Sequence, residues 1–121
     1  MELKFRALKD DISDVKMVFG TLTYSCENVP RIFENKGSFL TTTCIKGTEG
    51  QFTGFIDKKG VEIYKGDILT WDFHSKKYEV IWHDGAYYLK NGNQHARLSN
   101  TSLSGYYVVG NVIQNPDLLL T

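Results

Sequence analysis

The 121 residues contain only two cysteines and two prolines, and no apolar run extends beyond a few residues. Cys26 and Cys44 lie too far apart to read as a CxxC redox pair or a zinc knuckle. They read instead as reduced thiols of a cytosolic protein. The short apolar runs leave no candidate transmembrane helix, so no membrane role is expected. At the N-terminus, MELKFRALKDD alternates charge with apolar side chains where a signal peptide needs an unbroken apolar stretch. Surplus charge of either sign is also absent. Fourteen basic residues balance fourteen acidic ones, and residues 1–50 and 51–121 each carry seven of both. Nucleic-acid proteins usually carry a basic excess, because neutralising phosphates drives their non-specific binding. Here a basic patch requires segregation of charge by folding.

Helical periodicity is scarce, whereas alternation at period two and turn residues recur throughout. Leu3, Phe5 and Ala7 alternate with Lys4 and Arg6, which predicts a strand with the basic residues on its other face. A loop over residues 9–14 leads to a second strand over residues 16–22. Residues 39–45 contain a further strand, while 25–38 give no clear pattern and admit a short helix.

Eleven of the 16 aromatic residues lie from Gln51 onward, and aromatic side chains suit half-buried pleated surfaces. The clearest unit is KKYEVIWHDGAYYLK, residues 76–90. Asp84-Gly85 is a two-residue type I′ loop, since both positions need positive φ. It sets Trp82 opposite Tyr87 and Val80 opposite Leu89 on one face, which Tyr78 shares. On the other face Ile81 meets Tyr88, and Glu79 meets Lys90. Leu69, Trp71 and Phe73 alternate with Thr70 and Asp72, predicting a strand that joins this hairpin through Ser75-Lys76-Lys77. GYYVVGNVI, residues 105–113, predicts another strand with Gly110 as a bulge or close-approach position. Asn115-Pro116-Asp117 spells a helix start, with asparagine as N-cap, ahead of three leucines that allow only a turn or so. Together these elements predict an all-β chain. Residues 51–121 are expected to form a small SH3-like barrel with a short C-terminal helical turn. Residues 1–50 are expected to form an N-terminal β extension packing on it.

The stretch GQFTGFIDKKGVEIYKGDIL, residues 50–69, resembles the signature of the YopX-like proteins of phages and prophages. That signature runs Q-aromatic-T-G, an apolar residue, a D-K-x-G turn, then E-I-Y-x-G-D-I. Lys4-Phe5-Arg6-Ala7 is similar to the family's KFRA element, and Met17-Val18-Phe19-Gly20 resembles its second strand. Residues 109–119, VGNVIQNPDLL, resemble its closing segment. Leu8-Lys9 stand where the family commonly has Trp-Asp. The resemblance implies an SH3-type barrel and carries no catalytic residues, because the family is one of unknown function.

Residue chemistry points to few sites. Asp57-Lys58-Lys59-Gly60 fits a three-residue hairpin turn with Gly60 in the left-handed region, which sets Phe55 opposite Ile63. In Lys65-Gly66-Asp67, glycine permits a positive φ and the carboxylate can bind nearby amides. His74, His83 and His95 have no ligand spacing, so no metal is expected. No nucleophile-elbow, Walker or HExxH motif occurs, so no catalytic residues and no cofactor are expected.

Aromatics exceed what one small core can hold. Tyr88, Ile81 and one of Tyr106 and Tyr107 should therefore face outward, either beneath the N-terminal segment or as an anchor for a protein partner or a second copy. The expected function is that of a non-enzymatic phage or prophage accessory protein, binding a macromolecule in the host cytoplasm. One alternative is a nucleic-acid module of the KOW type, with Lys58, Lys59, Lys65, Lys76 and Lys77 contacting phosphates. Another is an uncharacterised hydrolase.

Overall fold

The computed structural model describes residues 3–35, 37, 39–72 and 76–120. The chain divides into two compact units, Met1–Phe52 and Thr53–Thr121. All strand pairs are antiparallel, as the alternating pattern implied.

The first unit holds β1 (Phe5–Leu8), β2 (Met17–Tyr24), β3 (Pro30–Phe33), β4 (Thr42–Thr43) and the start of β5 (Gly50–Ile56). Their order is β4-β3-β2-β1-β5. β1 is an interior strand, with Arg6 opposite Phe19 on β2 and Gly50 on β5. Arg6 is buried along with Ala7 and Leu8, so both faces of this strand are covered there. Residues 25–38 contain a strand where a short helix was admissible. The Ser25 hydroxyl accepts the Glu27 and Val29 amides, and Asn28 takes a φ of 63°. That tight turn carries β2 into β3, which Pro30 opens. The core is small: Ala7, Val18, Ile32 and Cys44, flanked by Phe5 and Leu22.

The second unit contains the rest of β5, β6 (Glu62–Tyr64), β7 (Asp67–Thr70), β8 (Lys77–His83), β9 (Ala86–Asn91), β10 (Gln94–Arg97), β11 (Tyr107–Asn111) and a 3-10 turn over Pro116–Leu120. The β5–β6 turn is the predicted one. Gly60 has φ 83°, and its amide donates to the Asp57 carbonyl at 3.0 Å. Asp57 is only 5% exposed. Its Oδ1 accepts the Lys59 and Val61 amides, while Oδ2 accepts Val108 across the unit at 2.9 Å. A buried carboxylate thus meets three donors, which offsets the cost of removing it from water.

The β8–β9 hairpin has the expected register throughout, from Glu79 opposite Lys90 to Trp82 opposite Tyr87. Asp84 and Gly85 both have positive φ. β7 differs. It ends at Thr70, where the sequence alternation continued to Phe73, and Trp71 is 61% exposed. The Thr70 hydroxyl lies 2.6 Å from the Asp72 carbonyl and 3.1 Å from that of Lys76, which turns the chain out of the strand. Phe73, His74 and Ser75 lie outside the described residues.

The sheet order is β10-β9-β8-β7-β11, and no ladder joins β10 to β11 among the described residues. The sheet is open where a closed SH3-like barrel was expected. One cause is β10, a polar strand that the residue pattern did not reveal and that extends the sheet beyond β9. The other is β11, whose register slips between Val108 and Gly110. Gly110 is also a close-approach position, since a Cβ there would lie 2.7 Å from Asn115 Oδ1 and from Leu118 Cδ1. Asn115 Oδ1 accepts the Asn111 amide at 3.2 Å, tying the C-terminal turn back to β11, and the Asn115 carbonyl accepts the Leu118 amide at 3.1 Å. Ile63, Leu69, Val80, Leu89, Leu98 and Leu103 form the core, ringed by Phe55, Tyr78, Tyr87, Tyr106 and Val108.

Candidate binding surface

The β8–β9 hairpin places aromatic side chains on both of its faces, because strand side chains alternate and its register is fixed by the Asp84-Gly85 turn. On one face Trp82 and Tyr87 meet edge to face, with ring centroids 4.8 Å apart. Such a pair contributes about 0.5–1.5 kcal/mol beyond its buried area. Trp82 remains 53% exposed. Burial raises the pKa of the Tyr87 hydroxyl.

On the opposite face Ile81 pairs with Tyr88, and both are half-buried. Arg97 of β10 stands across from Tyr88. The His83 ring lies 6.1 Å from the Tyr88 ring, and its Nε2 is 3.2 Å from the exposed Asp84 carboxylate. One row therefore runs Ile81, Tyr88, Arg97 across three strands. The next runs Glu79, Lys90, His95.

Tyr106 and Tyr107 diverge. Tyr106 turns inward onto the core, 5.8 Å from Tyr78 in an edge-on contact. Burial, and then the neighbouring Tyr78 hydroxyl, raise its pKa. Tyr107 faces the other way on β11, which is separated from β9 by β7 and β8. Ile81 and Tyr88 thus form one patch, and Tyr107 belongs to another.

Lys58 and Lys59 both sit over the Tyr107 ring, with Nζ atoms 4.8 and 4.3 Å from its centroid. The other lysines do not converge with them into one cluster. Lys65 lies in the β6–β7 turn, Lys76 reaches Gln94 Oε1 at 3.5 Å, and Lys77 is only 7% exposed. Asp67, next to Lys65, is buried and accepts the Tyr64 amide at 2.7 Å. Among the described residues no group of three His, Cys, Asp or Glu side chains is placed to hold a metal ion.

A further feature comes from residues 91–104. A groove of about 520 Å³ is lined by Tyr78, Leu89, Asn93, Gln94, His95, Ala96, Ser102 and Tyr106. One signal for β10 is present in the sequence. Gly92-Asn93 forms a two-residue loop with Asn91 opposite Gln94, and glycine-first pairs favour such hairpin turns. The strand it introduces, QHAR, lacks the β-branched and aromatic residues that usually betray a strand.

This architecture defines a small all-β protein built on two open antiparallel sheets. The YopX protein family profile matches residues 4–120, and the chain belongs to that family. Among solved structures it is similar to protein EF1440 from Enterococcus faecalis. That likeness has 28% sequence identity and a TM-score of 0.68, and covers 98% of this chain and 99% of the other. A comparison with curated proteins finds no match.

Proposed function

We propose that this protein is a non-enzymatic accessory protein of a phage or prophage, binding a host or phage protein in the cytoplasm through its β8–β9 hairpin. The observation that carries the reading is the hairpin's aromatic end. Trp82 is more than half exposed beside Tyr87, with Ile81 and Tyr88 on the reverse face. Tryptophan and tyrosine dominate binding energy at protein interfaces, and a rigid hairpin presents them at little cost in entropy. The carboxylates that a hydrolytic reading would recruit are engaged elsewhere, Asp57 and Asp67 being held by backbone amides.

Capture from lysate of infected cells tests this, with Trp82→Ala and Tyr88→Ala beside the natural chain. A specific partner lost from both variants supports the reading. Partners retained equally by all three chains refute it.

A nucleic-acid reading is favoured by one observation, the convergence of Lys58 and Lys59 on Tyr107. An aromatic ring under two cations suits a stacked base beside its phosphate. Retention on DNA or RNA that falls steeply with salt would support it, and absence of retention at low salt removes it.

A further inference from the structure

β10 is the terminal strand of its sheet. Its pairing shows which backbone groups point outward. The Leu98 amide donates to the Tyr87 carbonyl at 3.0 Å, and Asn91 and Gln94 close the two-residue turn. Antiparallel ladders alternate bonded and non-bonded pairs. Gln94, Ala96 and Leu98 therefore face β9, and the backbone groups of His95 and Arg97 face away from it. The Arg97 carbonyl is met by the Ser102 hydroxyl at 2.7 Å. The His95 amide, the His95 carbonyl and the Arg97 amide are left as one donor–acceptor–donor row.

The groove of about 520 Å³ runs beside this row and has Leu89, Ala96, Tyr78 and Tyr106 among its lining residues. A volume of that order holds an apolar side chain together with the backbone that carries it. Charge is biased as well. Residues 85–116 contain no aspartate or glutamate, yet they include Lys90, which has Glu79 opposite it, and Arg97. Lys76 adds a further cation at Gln94.

From this we infer that the β10 edge takes an extended acidic segment of a partner protein, added as a further strand with one apolar or aromatic side chain in the groove. Main-chain bonds to an exposed edge supply affinity in this mode, and pockets for alternate side chains supply selectivity. A second copy of the chain fits less well. Antiparallel self-pairing about Ala96 needs each His95 amide to reach the Arg97 carbonyl of the other copy, and that carbonyl already accepts the Ser102 hydroxyl. Edge charges also discourage aggregation, but that role explains neither the groove nor the lack of acids over 32 residues. The inference rests on the reading of the chain as a protein-binding module and assigns it a surface separate from the hairpin end.

The test uses a fluorescent heptapeptide of alternating glutamate and apolar residues, with phenylalanine at its centre. His95→Pro removes the outward amide and leaves the ladder bonds to β9 in place, since proline is tolerated on edge strands. Expected are saturable binding, slowed amide exchange at His95 and Arg97, and dissociation constants raised about tenfold by His95→Pro and by Arg97→Glu. The same peptide N-methylated at alternate backbone positions gives an independent measure should His95→Pro misfold, and it must bind no better than about a tenth as well. Equal binding by the variants, equal binding by the methylated peptide, or no binding at all overturns the proposal. So does a dimer in sedimentation that His95→Pro dissolves, because the edge then belongs to a second copy. A lysate partner lost with Trp82→Ala and kept with His95→Pro would leave the hairpin reading standing and remove this one.

Discussion

The two units are both built from short antiparallel strands, but they bury different things. The second closes on five aliphatic residues from β6 to β9 and the segment that follows β10, together with Leu103, and large side chains pack around them. The first closes on four buried residues, of which one is an alanine and one a cysteine. It also leaves Ile12, Phe39 and Leu40 almost fully in water. Backbone ladders are comparable in the two, so the contrast lies in apolar area removed from solvent, the dominant favourable contribution to folding. Regular strands are therefore no measure of local stability here. The first unit should open at lower free energy, since segments with few buried apolar contacts exchange first.

The largest effect that tests this contrast is Leu69→Ala. Leu69 is fully buried at the centre of the second unit's core, and its truncation should cost about 3–5 kcal/mol. The matching change in the first unit is Gly20→Ala. A Cβ at residue 20 would fall inside the van der Waals shell of the Phe33 carbonyl, forcing β2 and β3 apart. Overpacking of this kind costs about 1–3 kcal/mol. Urea unfolding with residue-resolved hydrogen exchange measures both. Gly20→Ala should lower protection in residues 17–33 and spare β8 and β9. Uniform loss across the chain would mean that the units unfold as one, and the contrast would fail.

A smaller effect sharpens the account of the second unit. Gly60 has φ 83° and open space around its missing side chain. A valine there meets only backbone strain, about 1–3 kcal/mol. Lys58→Ala forfeits one of two cations over Tyr107 and should cost no more than about 0.5–1 kcal/mol. Thermal melts that ranked the two substitutions equal would contradict the turn geometry.

These two units also differ in how far they could be read from residue order. The β8–β9 hairpin was legible to the residue, because Asp84-Gly85 fixes the register and both faces then agree with it. Gly110 and the Gly60 turn were legible for the same reason, each being a local demand on the backbone. The limits were non-local. Arg6 lies in an interior strand, and alternation cannot reveal how many neighbours a strand has. Trp71 leaves its strand because of one hydroxyl, that of Thr70. A closed barrel was expected and the sheet is open; β10 has one sequence signal, the Gly92-Asn93 turn, and its QHAR residues are too polar to read as a strand. The candidate surface was half legible: pairing placed Ile81 with Tyr88, whereas the separation of Tyr106 from Tyr107 and the groove beside β10 needed the sheet.

The smallest expected effect concerns the loop between β1 and β2, which relies on exposed charge where the second unit's Gly60 turn relies on a buried carboxylate. Asp11 Oδ1 accepts the Ser13 hydroxyl at 2.7 Å and the Ser13 amide at 3.0 Å, and these bonds hold its pKa below the ordinary 3.8. Asp14 is also lowered, chiefly by its bond from Lys9, and the same 3.0 Å contact raises Lys9 above 10.5. The signs follow from linkage. A depressed carboxylate stabilises the loop above pH 3.8, and that contribution is lost as pH falls through the folded value. The raised lysine contributes below pH 10.5 and is lost as pH climbs through its own folded value. Ser13→Ala should return Asp11 toward 3.8 in an NMR titration and leave Lys9 unmoved. High salt should weaken the Lys9–Asp14 pair while sparing the bonds from Ser13, since screening acts on exposed charges. If Asp11 titrates identically in Ser13→Ala, its lowered pKa comes from the Ser13 amide and Lys9, and the hydroxyl contributes nothing.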